Sequence, residues 1–402
     1  MTLTETIDAV MAREKIAEKA VETRRYLHRH AELSGKEYGT MKLVAERLAA
    51  LGIPCRSGVA DTGVVGLLTG DHPGPVIGLR ADMDALPIQE ENPDLPYASE
   101  NPGVMHACGH DAHTAILLGT AELLANLKDE LHGSVKFFFQ PAEEAIGGAE
   151  RMIAEGVLED PKVDAVFGLH VNGGLKPGQI GIKYGQTNAA TDAVTVRVYG
   201  KSCHAAHPHK GVDAILIAAH ILTACQSIVS RNVSPTDSAV CSFGTIRGGN
   251  VSNQVADFVE MTGTLRTLSP ETRLFVRERI KAVCEQTAAL MGGRAECRIR
   301  LGYSPLINDD AMADQVRDNA AFLLGKDQVI IRSIPSLGGE DFAYFAEARP
   351  SCFFQLGSAT DDPRQNVGHS CHFNLNEDCI PVGIRLQALN VLRFQPKKER
   401  ER

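Results

Sequence analysis

The chain is short of several things, and each shortage narrows the reading. It has no surplus of positive charge: 41 Lys and Arg stand against 50 Asp and Glu, a formal net charge of −9. With no basic stripe to neutralise phosphates, no nucleic-acid partner is expected. It has ten cysteines but no CxxC pair, which fits reduced, structural thiols better than a disulfide frame. No run approaches the ~20 apolar residues of a membrane span. The nearest, 214–229, is interrupted by His220, Thr223 and Gln226. The opening MTLTETIDAVMAREK lacks a basic segment followed by an apolar one, so no secretory signal is read there. These absences lead to the expectation of a soluble, cytoplasmic protein that binds neither nucleic acid nor membrane.

In bulk the sequence is that of an ordinary globular protein, with 402 residues, 44% hydrophobic and 23% charged. That length is long for one core, so two domains are expected. The unusual part is local. Met105–His113, MHACGHDAH, holds one thiol, three imidazoles and one carboxylate in nine residues, with a glycine between Cys108 and His110. Imidazole suits zinc, nickel or iron, thiolate favours softer metals, and carboxylate suits manganese as well. Short Cys/His clusters of this kind bind metals. A buried cysteine beside a rim of surface histidines is the plainer alternative. Apolar residues recur at helical spacing after Thr114, and Asp111 stands where an N-cap is expected. Cys108 and His110 are therefore predicted in the turn leading into a helix.

Periodicity predicts two helices within 4–51, around 20–29 and 40–51, and then short apolar strands at 64–69, 75–80, 134–140 and 164–169. Helices follow Thr114 and Gly147. Strands alternating with helices indicate a largely parallel α/β sheet. Asp82 and Asp84, Glu143 and Glu144, and His170 each come directly after such a strand, and ligands in open α/β sheets bind beyond the carboxyl ends of strands. A carboxylate after a strand is ordinarily a solvated loop residue. The coincidence with Cys108 and His110 argues instead for a metal-dependent catalytic site.

From Thr187 the order becomes strand, helix, strand, strand, helix, strand, at 190–199, 211–230, 238–247, 256–267, 270–291 and 295–301. This is the split β-α-β of a ferredoxin-like sandwich. The loop GKSCHAAHPHKG at 200–211 carries three histidines. After Tyr303 the α/β character returns, with helices at 311–324 and 380–394, a turn into a helix at 338–345 and a strand at 352–356. A charged tail at 397–402 reads as disordered. The expected architecture is a mostly parallel-sheet α/β/α catalytic domain made of 1–186 and 303–402. Inserted in it, at 187–302, is a ferredoxin-like α+β lid or dimerisation domain.

Taken together, RADMDALP at 80–87, MHACGHDAHTA at 105–115, QPAEE at 140–144, LH at 169–170, HAAHPHKGVDA at 204–214, GGEDF at 338–342 and HSCHF at 369–373 resemble one family. It is the aminoacylase and hippurate hydrolase branch of the dinuclear-metal peptidases and deacylases, which also holds the auxin–amino acid conjugate hydrolases. The pieces occur in the family's order along nearly the whole chain. The resemblance implies two divalent ions held by Cys108, His110, Glu144, His170 and His369, with the Cys108 thiolate bridging and Glu143 as general base. Asp84 resembles the acid that orients a ligand. His204 resembles the lid histidine that reaches a substrate carbonyl, often across a dimer interface. Asn253 and Arg266 resemble positions that hold the substrate carboxylate.

Several places depart from the family's usual forms. HRHAEL stands where HxxPEL is common, and SNQVAD at 252–257 where NVIPD is common. HSCHF replaces HSP or HNP, leaving both His369 and His372 as ligand candidates, with motif position favouring His369. His207 occupies a position often apolar. The resemblance implies hydrolysis of N-acyl amino acids to a carboxylic acid and an amino acid, by a homodimer or higher homo-oligomer using manganese, zinc, nickel or cobalt. A metal-dependent deaminase of an aromatic amine, or a non-catalytic dimeric relative, are the alternatives.

Overall fold

The computed structural model describes residues 2–145 and 147–395; the charged tail expected at 397–402 lies outside them. The chain divides into two compact units. One comprises Met1–Gly185, Ile307–Ile334 and Tyr344–Arg402, the other Gln186–Leu306 and Pro335–Ala343. The second unit thus takes in the GGEDF stretch as well as the ferredoxin-like segment.

The first unit is organised on an eight-stranded sheet. Its order is Cys55–Val59, Gly63–Thr69, His132–Gln140, His72–Asp82, Ala165–Asn172, Ser351–Gly357, Ile180–Ile182 and Val329–Ile331. The four central strands, His132–Gln140 to Ser351–Gly357, run parallel. The two strands at one edge and the junction with Ile180–Ile182 are antiparallel. Parallel strands must be covered on both faces, which is why they read as continuous apolar runs rather than alternating ones. Phe137, Phe138 and Phe139 are consecutive and all fully buried, each contributing about 1.5–3 kcal/mol by transfer from water. The short strands Cys55–Val59, Ile180–Ile182 and Val329–Ile331 have too few residues to give a periodic signal.

The helix His110–Ala125 is buried almost all round, packed against Ile16–Arg29, Cys379–Leu392 and the strand His72–Asp82. A helix apolar on every side belongs in a core. Where periodicity predicts two helices over 4–51, three form: Leu3–Arg13, Ile16–Arg29 and Tyr38–Ala50. The first break falls at Lys15, whose backbone is left-handed at φ 52, so that the second helix restarts with Ile16 fully buried.

The second unit holds an antiparallel sheet in the order Ala239–Gly248, Phe258–Thr267, Ala190–Tyr199, Arg294–Leu301. With the helices Ala214–Ser227 and Pro270–Leu290 this gives the expected split β-α-β arrangement. A π-helical turn, Ile228–Asn232, continues the first of these helices. Together they form a run of 19 residues with mean hydropathy 1.4, long and apolar enough by length and composition to cross a membrane. It contains the run 214–229 that His220, Thr223 and Gln226 interrupt. Its apolarity has a local cause, because Ile217, Ala218, Ile221, Cys225 and Ile228 are buried in the core of this unit.

Candidate metal centre

The strand His72–Asp82 does not stop at Arg80 as its apolar run suggests. It continues through Asp82 because the two polar ends satisfy one another inside the protein. Arg80 Nη1 donates to Asp82 Oδ2 at 2.6 Å, and Arg80 Nε to Gln140 Oε1 at 2.8 Å on the neighbouring strand. Residues two apart on a strand share a face, so Arg80 and Asp82 project to the same side. The strand Ala165–Asn172 likewise runs through His170 rather than ending before it. The QPAEE turn follows directly from His132–Gln140, and its Ala142 is left-handed at φ 56. Glu37 Oε1, buried, accepts the Ala142 amide at 2.9 Å and holds that conformation. His369, left-handed at φ 61, is fixed by its amide donating to Ala107 O at 2.7 Å. Left-handed backbone in non-glycine residues needs such support from its surroundings.

The N-cap of the His110 helix is Gly109 at φ 89, not Asp111. A Cβ at position 109 would meet Val171 Cγ2 at 2.4 Å, so only glycine lets the chain turn between the thiol and the imidazole. Asp111 instead lies within the first turn, fully buried, with a different task described below.

Around this turn the polar atoms converge. Cys108 Sγ is 3.3 Å from His170 Nε2. Glu144 Oε1 is 3.1 Å from His369 Nε2 and 4.0 Å from His110 Nε2. The ligand atoms of Cys108, His110 and His170 all lie within 4.8 Å of one another, and so do those of Cys108, Glu144 and His369. Two triads therefore share one sulfur. Glu143, nine-tenths buried, joins His110 and Glu144 in a further group of the same compactness.

Hydrogen bonds decide which imidazole nitrogens face inward. His110 Nδ1 lies 3.2 Å from Asp84 Oδ1 and His170 Nδ1 2.7 Å from Val171 O. With Nδ1–H donating in each, both Nε2 lone pairs point to the cluster, the arrangement typical of metal-binding histidines. His110 Nε2 is buried among Cys108, Asp82 and Glu144. His113 is fully engaged, with Nδ1 2.6 Å from Asp82 Oδ1 and Nε2 accepting the Val171 amide at 2.9 Å. Of the three histidines in MHACGHDAH, only His110 joins the thiol.

The electrostatics of this group are those of a site filled with opposed charges. Burial pushes the Cys108 thiol up, but His170 and His110 beside it bring it down to about 6. Burial lowers His170, yet the Cys108 thiolate lifts it to about 9. Hydrogen bonds to Cys108 and Glu144 lift His369 to about 10. Burial alone would raise Asp84; its hydrogen bond with His110, with the Ser34 hydroxyl and the Glu144 amide adding to it, holds it below the usual carboxylate range. Burial likewise pushes Asp82 up, but Arg80, His110 and His113 hold it well below that range. The Cys108 thiolate, the Glu144 carboxylate and the imidazoles of His110, His170 and His369 are a donor set that fits divalent cations, which would replace the protons now balancing the charge.

Behind the cluster lies a layer that sequence reading does not reveal. Asp111 is 2.9 Å from Arg24 Nε and 2.7 Å from His28 Nδ1, and all three side chains are fully buried. Arg24 also reaches Asn374 Oδ1 at 2.9 Å and Glu377 Oε1 at 3.2 Å, and His28 Nε2 lies 3.3 Å from Glu90 Oε1. This network clamps the start of the His110 helix. His28, the first residue of HRHAEL, is thus part of this network, whereas the departure from HxxPEL is at Ala31.

The remaining expected residues fall elsewhere. His372 turns away from the cluster, its Nδ1 2.9 Å from Glu91 O. His204 and Asn253 come together within the second unit, in the strand pair Cys203–His204 with Gln254–Val255, where the Ala205 amide donates to Asn253 O at 2.9 Å. His204 and His207 are exposed, with ring centroids 5.8 Å apart. Arg266 lies in the antiparallel sheet opposite Thr191 and Val240, with its guanidinium on the Leu265 carbonyl and the Thr264 hydroxyl.

The model of peptidase family M20/M25/M40 matches residues 78–393. N-acetyl-L-cysteine deacetylase of Bacillus subtilis strain 168 is 44% identical over 357 residues, covering 89% of this chain and 83% of its own. N-acyl-L-amino acid amidohydrolase of Geobacillus stearothermophilus is 44% identical over 288 residues, covering 71% and 77%. Among solved structures, the Bacillus subtilis YXEP protein, a dinuclear metal-binding peptidase of the M20 family, superposes with a TM-score of 0.83. Its identity is 35%, over 94% of this chain and 98% of its own. The chain is a hydrolase belonging to peptidase family M20/M25/M40.

Proposed function

We propose that this protein is a metal-dependent amidohydrolase that cleaves N-acyl amino acids to a carboxylic acid and the free amino acid. The observation that carries the reading is the pair of triads sharing Cys108 Sγ, with Glu143 beside them. Cys108, His110 and His170 would hold one divalent ion and Cys108, Glu144 and His369 the other. When bound, the two ions supply Lewis acidity, lowering the pKa of water and polarising the scissile carbonyl. Glu143 takes the proton from the attacking water and delivers it to the departing amine nitrogen. Asp84 orients His110 through its Nδ1. His204 stabilises the charge on the substrate carbonyl oxygen, and Asn253 and Arg266 hold the substrate carboxylate. The relatives named for N-acetylcysteine and N-acyl amino acids support small N-acyl substrates of this kind.

The mixed thiolate, imidazole and carboxylate set favours zinc or nickel and accommodates manganese or cobalt. In this reading residues 1–186 with 303–402 form the catalytic domain and 187–302 a lid that also dimerises. Exposed Ile215, Leu216, Ile246 and Val251 on that segment suit contact with a second copy. Ten unpaired thiols suit a reducing, cytoplasmic setting.

The test is hydrolysis of a panel of N-acyl amino acids and aryl amines by protein reconstituted with each ion, beside Glu143→Gln. Loss of a general base costs about 10²–10⁴ in kcat, so the variant should lose that much while keeping its metal. Absence of N-acyl amino acid hydrolysis in every reconstituted sample, or undiminished turnover in Glu143→Gln, overturns the reading.

A further inference from the structure

We infer that Glu91, Cys371 and His372 form a third metal site, separate from the dinuclear centre, which takes one zinc-class divalent ion. The HSCHF stretch leaves a thiol and an imidazole that the catalytic reading does not use, and the structure brings both to one carboxylate. Cys371 Sγ is 3.4 Å from Glu91 Oε2, and His372 Nε2 is 3.8 Å from the same oxygen. All three ligand atoms lie within 4.8 Å of one another.

These separations are those of a coordination shell. With zinc–sulfur near 2.3 Å and zinc–nitrogen or zinc–oxygen near 2.1 Å, tetrahedral angles place sulfur about 3.6 Å from oxygen and nitrogen about 3.4 Å from oxygen. The sulfur–oxygen and nitrogen–oxygen pairs need shifts of a few tenths of an ångström, and sulfur and nitrogen lie within 4.8 Å. A soft donor beside an imidazole and a carboxylate selects zinc-class ions over magnesium or calcium.

The histidine is already turned for the task. His372 Nδ1 lies 2.9 Å from the Glu91 carbonyl oxygen, so Nδ1–H donates to it and the Nε2 lone pair is left facing the thiol and the carboxylate. A backbone carbonyl on the far nitrogen is a common support for a ligating histidine. The backbones are tied as well: the Glu91 amide donates to Cys371 O at 2.9 Å, and Asn92 Nδ2 to Phe373 O at 3.3 Å. The two segments therefore keep their spacing without an ion. Glu91 is exposed and the other two half-buried, leaving a fourth position open to water and an entry path from solvent. Because Cys371 is two residues beyond His369, an ion here also fastens the His369 loop to the Glu91 segment.

The full chain, stripped by chelator, re-equilibrated with excess cobalt(II) and freed of loose ions, gives the test by metal counting and near-ultraviolet absorbance. Wild type should retain one more equivalent than Cys371→Ser, Glu91→Gln or His372→Gln. Its thiolate-to-cobalt absorbance should fall, without vanishing, in Cys371→Ser. Equal counts in wild type and the three variants overturn the inference, as does an unchanged absorbance in Cys371→Ser. Cys108→Ala reports separately on the dinuclear centre, so failure of either site is distinguishable from failure of the other.

Discussion

Replacing Arg24 by methionine probes the buried layer behind the metal centre. Arg24 and Asp111 are both fully buried at 2.9 Å, a distance at which a unit charge pair interacts by roughly 6 kcal/mol at an effective dielectric constant near 20. Desolvation offsets much of this in the intact protein, but removing one partner strands the other charge, at a cost of about 3–5 kcal/mol. His28, 2.7 Å from the same carboxylate, remains as a partner in Arg24→Met, which favours the lower half of that range. For a unit of this size the melting point should fall by roughly 6–12 °C. The measurement is urea and thermal unfolding of chelator-treated protein, so that bound ions do not add their own stabilisation. Asp111→Asn combined with Arg24→Met should cost less than the sum of the singles by about 2 kcal/mol. Burial pushes Asp111 up, but Arg24 and His28 hold its carboxyl far below the ordinary range. Its stabilisation is therefore complete above the unfolded value near ~4 and is lost as pH falls towards the folded one. The stability gap between wild type and Asp111→Asn should accordingly narrow on acidification. A loss under about 1 kcal/mol in Arg24→Met, or strict additivity in the double variant, refutes the clamp.

Other substitutions test neighbouring parts. Asp84→Asn removes the carboxylate that orients His110 and should weaken metal binding about 10–100-fold by calorimetry. Gly109→Ala combines a left-handed backbone with a Cβ 2.4 Å from Val171 Cγ2. It should cost about 2–4 kcal/mol in unfolding experiments. Because His170 and His369 are raised to about 9 and about 10 in the metal-free protein, an incoming ion displaces protons at neutral pH. Affinity should therefore rise with pH across the neutral range, and a flat profile in competition titrations would sink that account.

The cluster was legible in the sequence because its candidate ligands come in short bursts just beyond apolar strands. Cys108 with His110, and Glu143 with Glu144, announce themselves by residue type and by the strand or helix beside them. The split β-α-β order of 190–301 was equally plain, since alternating strands and long helices carry strong periodic signals. What stayed hidden is non-local. Arg24 and His28 lie in the helix Ile16–Arg29, whose charged residues read as a solvent face, and the partner of His28 is 83 residues away. Asp111 looked like a cap because capping is a local habit, whereas its role is set by tertiary pairing. Motif position in HSCHF favours His369 over His372, and the left-handed turn at His369 is how the backbone brings it to Glu144.

The single sulfur common to both triads gives the centre one point of failure. Two cations held by separate donors could be lost one at a time, leaving a half-loaded site. Here Cys108 Sγ belongs to both compact groups, so if both hold cations as proposed, oxidation of that one atom would take a donor from both together. Peroxide exposure of metal-free protein, where the thiol sits at about 6 and is largely ionised at neutral pH, would thus leave molecules either whole or disarmed.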